Sequence, residues 1–85
     1  MTTQKRREQT KRIATLLQQL APELAGDVAG VTDVRELPRA TREAIVDTLL
    51  LEFAANGCDK DDEPTAYGLE LEDLVDACGL AWDDV

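Results

Sequence analysis

Residues Leu37 to Gly57 read LPRATREAIVDTLLLEFAANG, and this stretch carries the strongest helical pattern in the chain. Pro38 suits a first helical turn, because the backbone N–H that proline lacks would have no partner there. Apolar residues recur from Ala44 to Phe53 on more than one side of a helix. Gly57 is typical of a left-handed C-terminal cap. We therefore predict a central helix that ends at Gly57 and packs on more than one side.

Two further stretches have the spacing of amphipathic helices. The first runs from about Gln4 to Ala21, and the other from about Leu69 to Cys78. The apolar positions of the first are Ile13, Leu16, Leu17 and Leu20, followed by Leu24, and those of the second are Leu71, Leu74, Val75 and Cys78. Glycine follows the second stretch at Gly79, as at many helix ends.

The fold class follows from these three periodic stretches. No stretch alternates apolar and polar residues as a strand would, and Pro22 to Leu37 has room for only a short turn or helix. With 85 residues, the chain has the size of one small domain. We predict a single all-α domain over residues 1–85, built as a small bundle of three main helices plus a short connecting turn or helix.

Charge is unevenly distributed in this acidic chain, which has nine Lys and Arg against eighteen Asp and Glu and a net charge of -9. Residues 1–12 form a basic arm. We expect this arm to fray in part unless an acidic surface receives it, because cations near a helix N-terminus interact unfavourably with the helix dipole. The cations of the arm are Lys5, Arg6, Arg7, Lys11 and Arg12. They could contact an acidic partner, but we expect no direct nucleic-acid binding, since aromatic residues for base stacking are missing from the arm.

Catalysis is not expected, because the chain contains neither histidine nor serine. Their absence removes serine triads, Cys–His pairs and His-bearing zinc sites. Cys58 and Cys78 each follow a predicted helix C-terminus, which disfavours a reactive thiolate. We interpret both as packed or partly exposed thiols, without deciding whether they meet in space. We expect no cofactor.

The expected location is the cytoplasm. Two cysteines are too few to staple a secreted mini-domain, and the N-terminus lacks the apolar core of a signal peptide. No run of about eighteen apolar residues is present, so we expect no contact with a membrane.

Residues 59–70, DKDDEPTAYGLE, have carboxylates at four ligand positions of an EF-hand calcium loop. These carboxylates belong to Asp59, Asp61, Glu63 and Glu70. However, Pro64 occupies the position where the calcium loop needs the sharp turn that glycine provides. We therefore favour a polar connection between two helices and keep a calcium-binding module as a subordinate hypothesis.

The acidic C-terminal part supports the leading functional hypothesis. It predicts a non-catalytic protein–protein interaction module, an accessory or regulatory protein whose partner has a basic surface. The candidate contact residues are Asp61, Asp62, Glu72, Asp76 and Trp82. An alternative is an immunity- or antitoxin-like inhibitor that blocks a basic nuclease or nucleic-acid-binding surface. A further alternative is that the acidic face serves only solubility. The sequence does not determine the oligomeric state.

Overall fold

The structure is a computed structural model that describes residues 3–79, and within that range the fold is all-α. Its helices are α1 (Thr3–Leu20), α2 (Pro22–Ala29), α3 (Arg39–Asn56) and α4 (Ala66–Ala77), with a 3-10 turn at Val34–Glu36. The prediction of three main helices and a short connecting one is thus confirmed. None of the helices described is long and apolar enough to cross a membrane.

α1 and α2 form a closely packed pair. Pro22 is the first residue of α2, so it begins a new helix after a break at Ala21. Ile13 and Leu17 of α1 and Val28 of α2 are almost completely buried in the same core cluster. These regularly spaced apolar residues therefore do pack in the core.

A buried hydrogen bond ties the connection after α2 to α1. Asp33 caps the 3-10 turn by accepting a hydrogen bond from the Arg35 backbone N–H at 3.0 Å. Within that turn, the backbone N–H of buried Val34 donates to Thr10 Oγ1 at 2.9 Å. Thr10 itself is buried on α1, so it satisfies a donor that would be costly to leave without a partner.

The end of α3 is built differently from the prediction. Gly57 has a φ of -87°, which is right-handed, so the expected left-handed cap was wrong. Glycine is required there because of space: a Cβ atom on Gly57 would lie 2.8 Å from the Phe53 carbonyl oxygen, and one on Gly68 would overlap the Gly57 carbonyl. The end of α3 and the first turn of α4 therefore meet backbone to backbone.

α3, which the sequence predicted to pack on more than one side, has α4 as its main helix contact and leaves one side exposed. Ile45 and Leu49 are fully buried, but Leu50 is 49% exposed and Leu51 is 72% exposed. The physical reason is that α1 packs against α2 and α4, so no other described helix covers the outer side of α3.

α4 begins at Ala66, three residues before the predicted start at Leu69. Thr65 sets this boundary, because its side chain accepts a hydrogen bond from the Gly68 N–H at 3.1 Å. The predicted inward positions of α4 are confirmed: Leu71, Leu74 and Cys78 are buried, and Val75 packs against the core. Gly79 follows the helix in the left-handed conformation, with a φ of 74°.

The contact between Gly57 and Gly68 predicts a clear difference between two glycine substitutions. Gly68→Ala should lower the free energy of unfolding by about 2 kcal/mol or more, because the added methyl group forces α3 and α4 apart. Gly26→Ala is the matched control in α2, where nothing lies within 4 Å of an added Cβ. It should raise stability by about 0.5 kcal/mol through helix propensity. Urea unfolding of both variants checks this, and equal effects would contradict the close contact.

Candidate functional site

The acidic loop between α3 and α4 is organised by Asp59. Its carboxylate accepts hydrogen bonds from the backbone N–H groups of Asp61 at 2.8 Å and Glu63 at 3.2 Å. Asp62 adopts a left-handed φ of 62°, which aspartate tolerates better than most residues. The Thr65 N–H closes the loop on the Gly57 carbonyl at 2.9 Å. The loop is therefore a compact turn held by its own polar groups.

The predicted calcium ligands are not assembled in this turn. Glu70 would supply the last ligand, but its carboxylate accepts hydrogen bonds from the Arg12 Nε and Nη2 atoms at 3.0–3.2 Å. The Oδ1 atom of Asp59 accepts backbone N–H groups of the loop. Within residues 3–79, no three acidic or cysteine side chains are grouped so that they could hold a metal ion.

The described part of the basic arm lies within α1, and its cations have different neighbours. Arg6 approaches Asp33 at 3.9 Å, while Arg12 forms a bidentate pair with Glu70. The hydrogen bond to Glu70 raises the pKa of Arg12 above its ordinary value. Arg7 and Lys11 lie on another side, next to Thr32 beyond the end of α2. The arm is thus not a single basic patch, and the acidic surface needed to hold it in place is partly present.

The predicted contact residues are placed in two regions. Asp61 and Asp62 are exposed in the loop, whereas Glu72 and Asp76 are exposed on α4. Glu72 and Asp76 lie one helical turn apart, and Leu69, which is 56% exposed, precedes them on the same side. These three residues form the outer face of α4. Trp82 lies outside the described residues.

The structure adds a candidate contact surface on α3 that the sequence pattern did not indicate. Leu50 and Leu51 are exposed there next to Asp47, and together these three residues line a shallow depression. We call this surface the leucine patch. A signal was present: successive helical residues point about 100° apart, so Leu49, Leu50 and Leu51 cannot all face one neighbouring helix.

The two thiols lie near opposite ends of α4. Cys58 is half-buried next to Gly57, which abuts Gly68, and Cys78 lies ten residues further along the helix. Ten helical residues span about 15 Å, too far for a disulfide. Cys78 is fully buried, and this burial raises its pKa to about 11. Both cysteines are free.

Comparison of the chain with protein-family models, curated proteins and solved structures gave no match. Function is therefore inferred from the chain's own surfaces. The candidate contact residues are the side chains exposed on the outer sides of α3 and α4, namely Leu50, Leu51, Leu69, Glu72 and Asp76.

The different environments of the two thiols predict selective modification. At pH 8, Cys58 should react with a chromogenic aromatic disulfide without denaturant, since it is only half-buried, whereas Cys78 should react only when the fold opens, because its burial excludes the reagent and raises its pKa to about 11. The Cys58→Ala variant isolates Cys78, and Cys78→Ala isolates Cys58. Reaction of Cys78 should accelerate in urea. Equal rates at both thiols without denaturant would contradict the described burial.

Proposed function

We propose that the chain is a non-catalytic interaction module that docks on a protein with a basic surface, using the leucine patch as its anchor. The observation that supports this most is the exposure of Leu50 and Leu51, at 49% and 72%, on the outer side of a regular helix. The fold does not need these side chains, because α3 already packs through Ile45 and Leu49.

The leucine patch is suited to contribute binding free energy. Fully burying an exposed leucine side chain contributes about 1.5–3 kcal/mol, since apolar area is removed from water. Leu50 and Leu51 are 49% and 72% exposed, so covering both would contribute about as much as burying one leucine completely. Single exposed apolar residues are ordinary on protein surfaces. Two large neighbours on one helix, bordered by Asp47, form the kind of apolar centre with a polar edge that protein interfaces use.

The charge of the domain supports a basic partner. Among the ion pairs of residues 3–79, none uses the carboxylates of Asp61, Asp62, Glu72 or Asp76. With a net charge of -9 on the whole chain, such unpaired acids attract positive surfaces over several ångströms and raise the rate of encounter. The leucine patch would then hold the partner after these acids have drawn it in.

The inhibitor hypothesis is a narrower form of the same proposal. An immunity- or antitoxin-like protein would use these acids to cover a basic nuclease or nucleic-acid-binding surface. The partner distinguishes the two forms: a nuclease that loses activity in the complex favours the inhibitor, and a partner with no such activity favours the accessory module.

If the leucine patch anchors the partner, it should control the dissociation rate of the complex. A partner would be captured from the host lysate on immobilised protein, then purified and measured by surface plasmon resonance. The Leu50→Ser, Leu51→Ser double variant should lose about 2 kcal/mol of binding or more, mainly through faster dissociation. Its melting temperature should change little, because both side chains are exposed. Leu69→Ser makes the same chemical change on α4 and should leave dissociation unchanged; an equal loss there would contradict the assignment to α3.

The exposed acids of α4 should instead control the association rate of the complex. Glu72→Gln with Asp76→Asn should slow association and flatten its dependence on salt, while dissociation changes little. Glu23→Gln with Asp27→Asn on α2 changes the net charge equally and serves as the control for general charge effects. If both pairs slow association equally, the outer face of α4 has no special part in guiding the partner.

A further inference from the structure

A groove of about 480 Å³ lies on another side of the molecule, between α1, the end of α2 and the residues that follow α2. Its volume lies within the range of small-molecule sites, roughly 300–1,000 Å³. Its lining residues are Arg7, Thr10, Lys11, Ala14, Thr15, Val28, Ala29, Val31 and Thr32. The five from α1 follow the spacing of one helix face.

The base of the groove is apolar. Val28 is almost completely buried, and Ala14 and Val31 pack partly against the core cluster. Two of the hydroxyl groups are already engaged: Thr10 donates to the Arg6 carbonyl at 2.8 Å, and Thr15 donates to the Lys11 carbonyl at 3.0 Å. An apolar group could therefore rest on this base without leaving the hydroxyl of Thr10 or Thr15 unsatisfied.

The rim of the groove is positive, which is unusual for this chain. Arg7 and Lys11 are exposed one helical turn apart, and no acidic residue is among the nine that line the groove. Within residues 3–79, neither cation takes part in an ion pair, whereas Arg6 and Arg12 each meet an acid. Like charges at this spacing repel each other, so an anion between Arg7 and Lys11 would remove an unfavourable interaction.

We propose that this groove binds a small organic monoanion: a carboxylate attached to a compact apolar body. Arg7 and Lys11 would hold the carboxylate, and the apolar part would lie on Ala14, Val28 and Val31. A single negative charge fits best, because the net charge of -9 repels nucleic acids and acidic protein segments. The groove is separate from the leucine patch, so this proposal does not depend on the docking proposal.

Octanoate is a suitable probe, titrated into the full chain at low salt and followed by two-dimensional amide NMR. We expect saturable shifts at Thr10, Ala14 and Val31. Arg7→Gln and Lys11→Gln should each weaken binding about three- to tenfold, as expected for a partly exposed charged contact. Lys60→Gln removes the same charge from the acidic loop and should leave the affinity within about twofold of the parent value.

Two comparisons make the result decisive. Octanol has the same chain without the charge, so it should bind the parent more weakly than octanoate does. Its affinity for the Arg7→Gln variant should equal its affinity for the parent. Ala29→Leu should block the groove without changing charge, with its amide spectrum confirming the fold. Absence of saturable shifts, shifts centred on Leu50 and Leu51, or equal affinity of octanoate for the parent and both charge variants would each overturn the proposal.

Discussion

The backbone contact between Gly57 and Gly68 is the constraint on which the arrangement of α3 and α4 depends. Neither position can carry a side chain in this arrangement, because a Cβ atom at either would meet backbone atoms. The same region closes the loop, since the Thr65 N–H and hydroxyl both donate to the Gly57 carbonyl. Once this contact is fixed, Leu71 and Leu74 enter the core and the acids of α4 face outward.

The surfaces of the domain follow from how few helices cover this arrangement. Among the helices of residues 3–79, α1 packs on α2 and α4 and α3 packs mainly on α4, so none of them covers the leucine patch. The Tyr67 hydroxyl donates to the Glu52 carboxylate at 2.9 Å, which adds a polar tie on the inner side of α3. The outer sides of α3 and α4 are therefore exposed among residues 3–79, while the groove with Arg7 and Lys11 lies on a different side.

The parts of the fold that depend on clear periodicity can be predicted from the sequence. Ile13, Leu17 and Leu71 could be placed in the core, because only one side of their helices is apolar. The same reasoning correctly expected Glu72 and Asp76 to be exposed. The function inferred from them stays a proposal.

Other features depend on tertiary contacts that a linear pattern does not contain. Gly57 resembled a left-handed cap, but a Cβ atom there would crowd Phe53 one turn back in α3, and it is Gly68 that is required by the close approach of another backbone. The apolar residues of α3 suggested burial on several sides, and only the number of neighbouring helices shows that Leu51 stays outside. Thr65 was a readable signal for the start of α4, since threonine is a favoured N-cap residue. The groove could not be predicted, because it joins α1 to residues some twenty positions away.

We propose that the outer side of α3 is open in the free protein and covered by a partner in the complex. Solvent paramagnetic relaxation of leucine methyl groups, measured with a soluble gadolinium chelate, tests this directly. Leu50 and Leu51 should relax strongly in the free chain, Leu49 should be protected, and the first two should become protected in the purified complex. Methyl groups of Leu50 and Leu51 that are as protected as Leu49 in the free chain, or that stay fully exposed in the complex, would show that the leucine patch is not the docking surface.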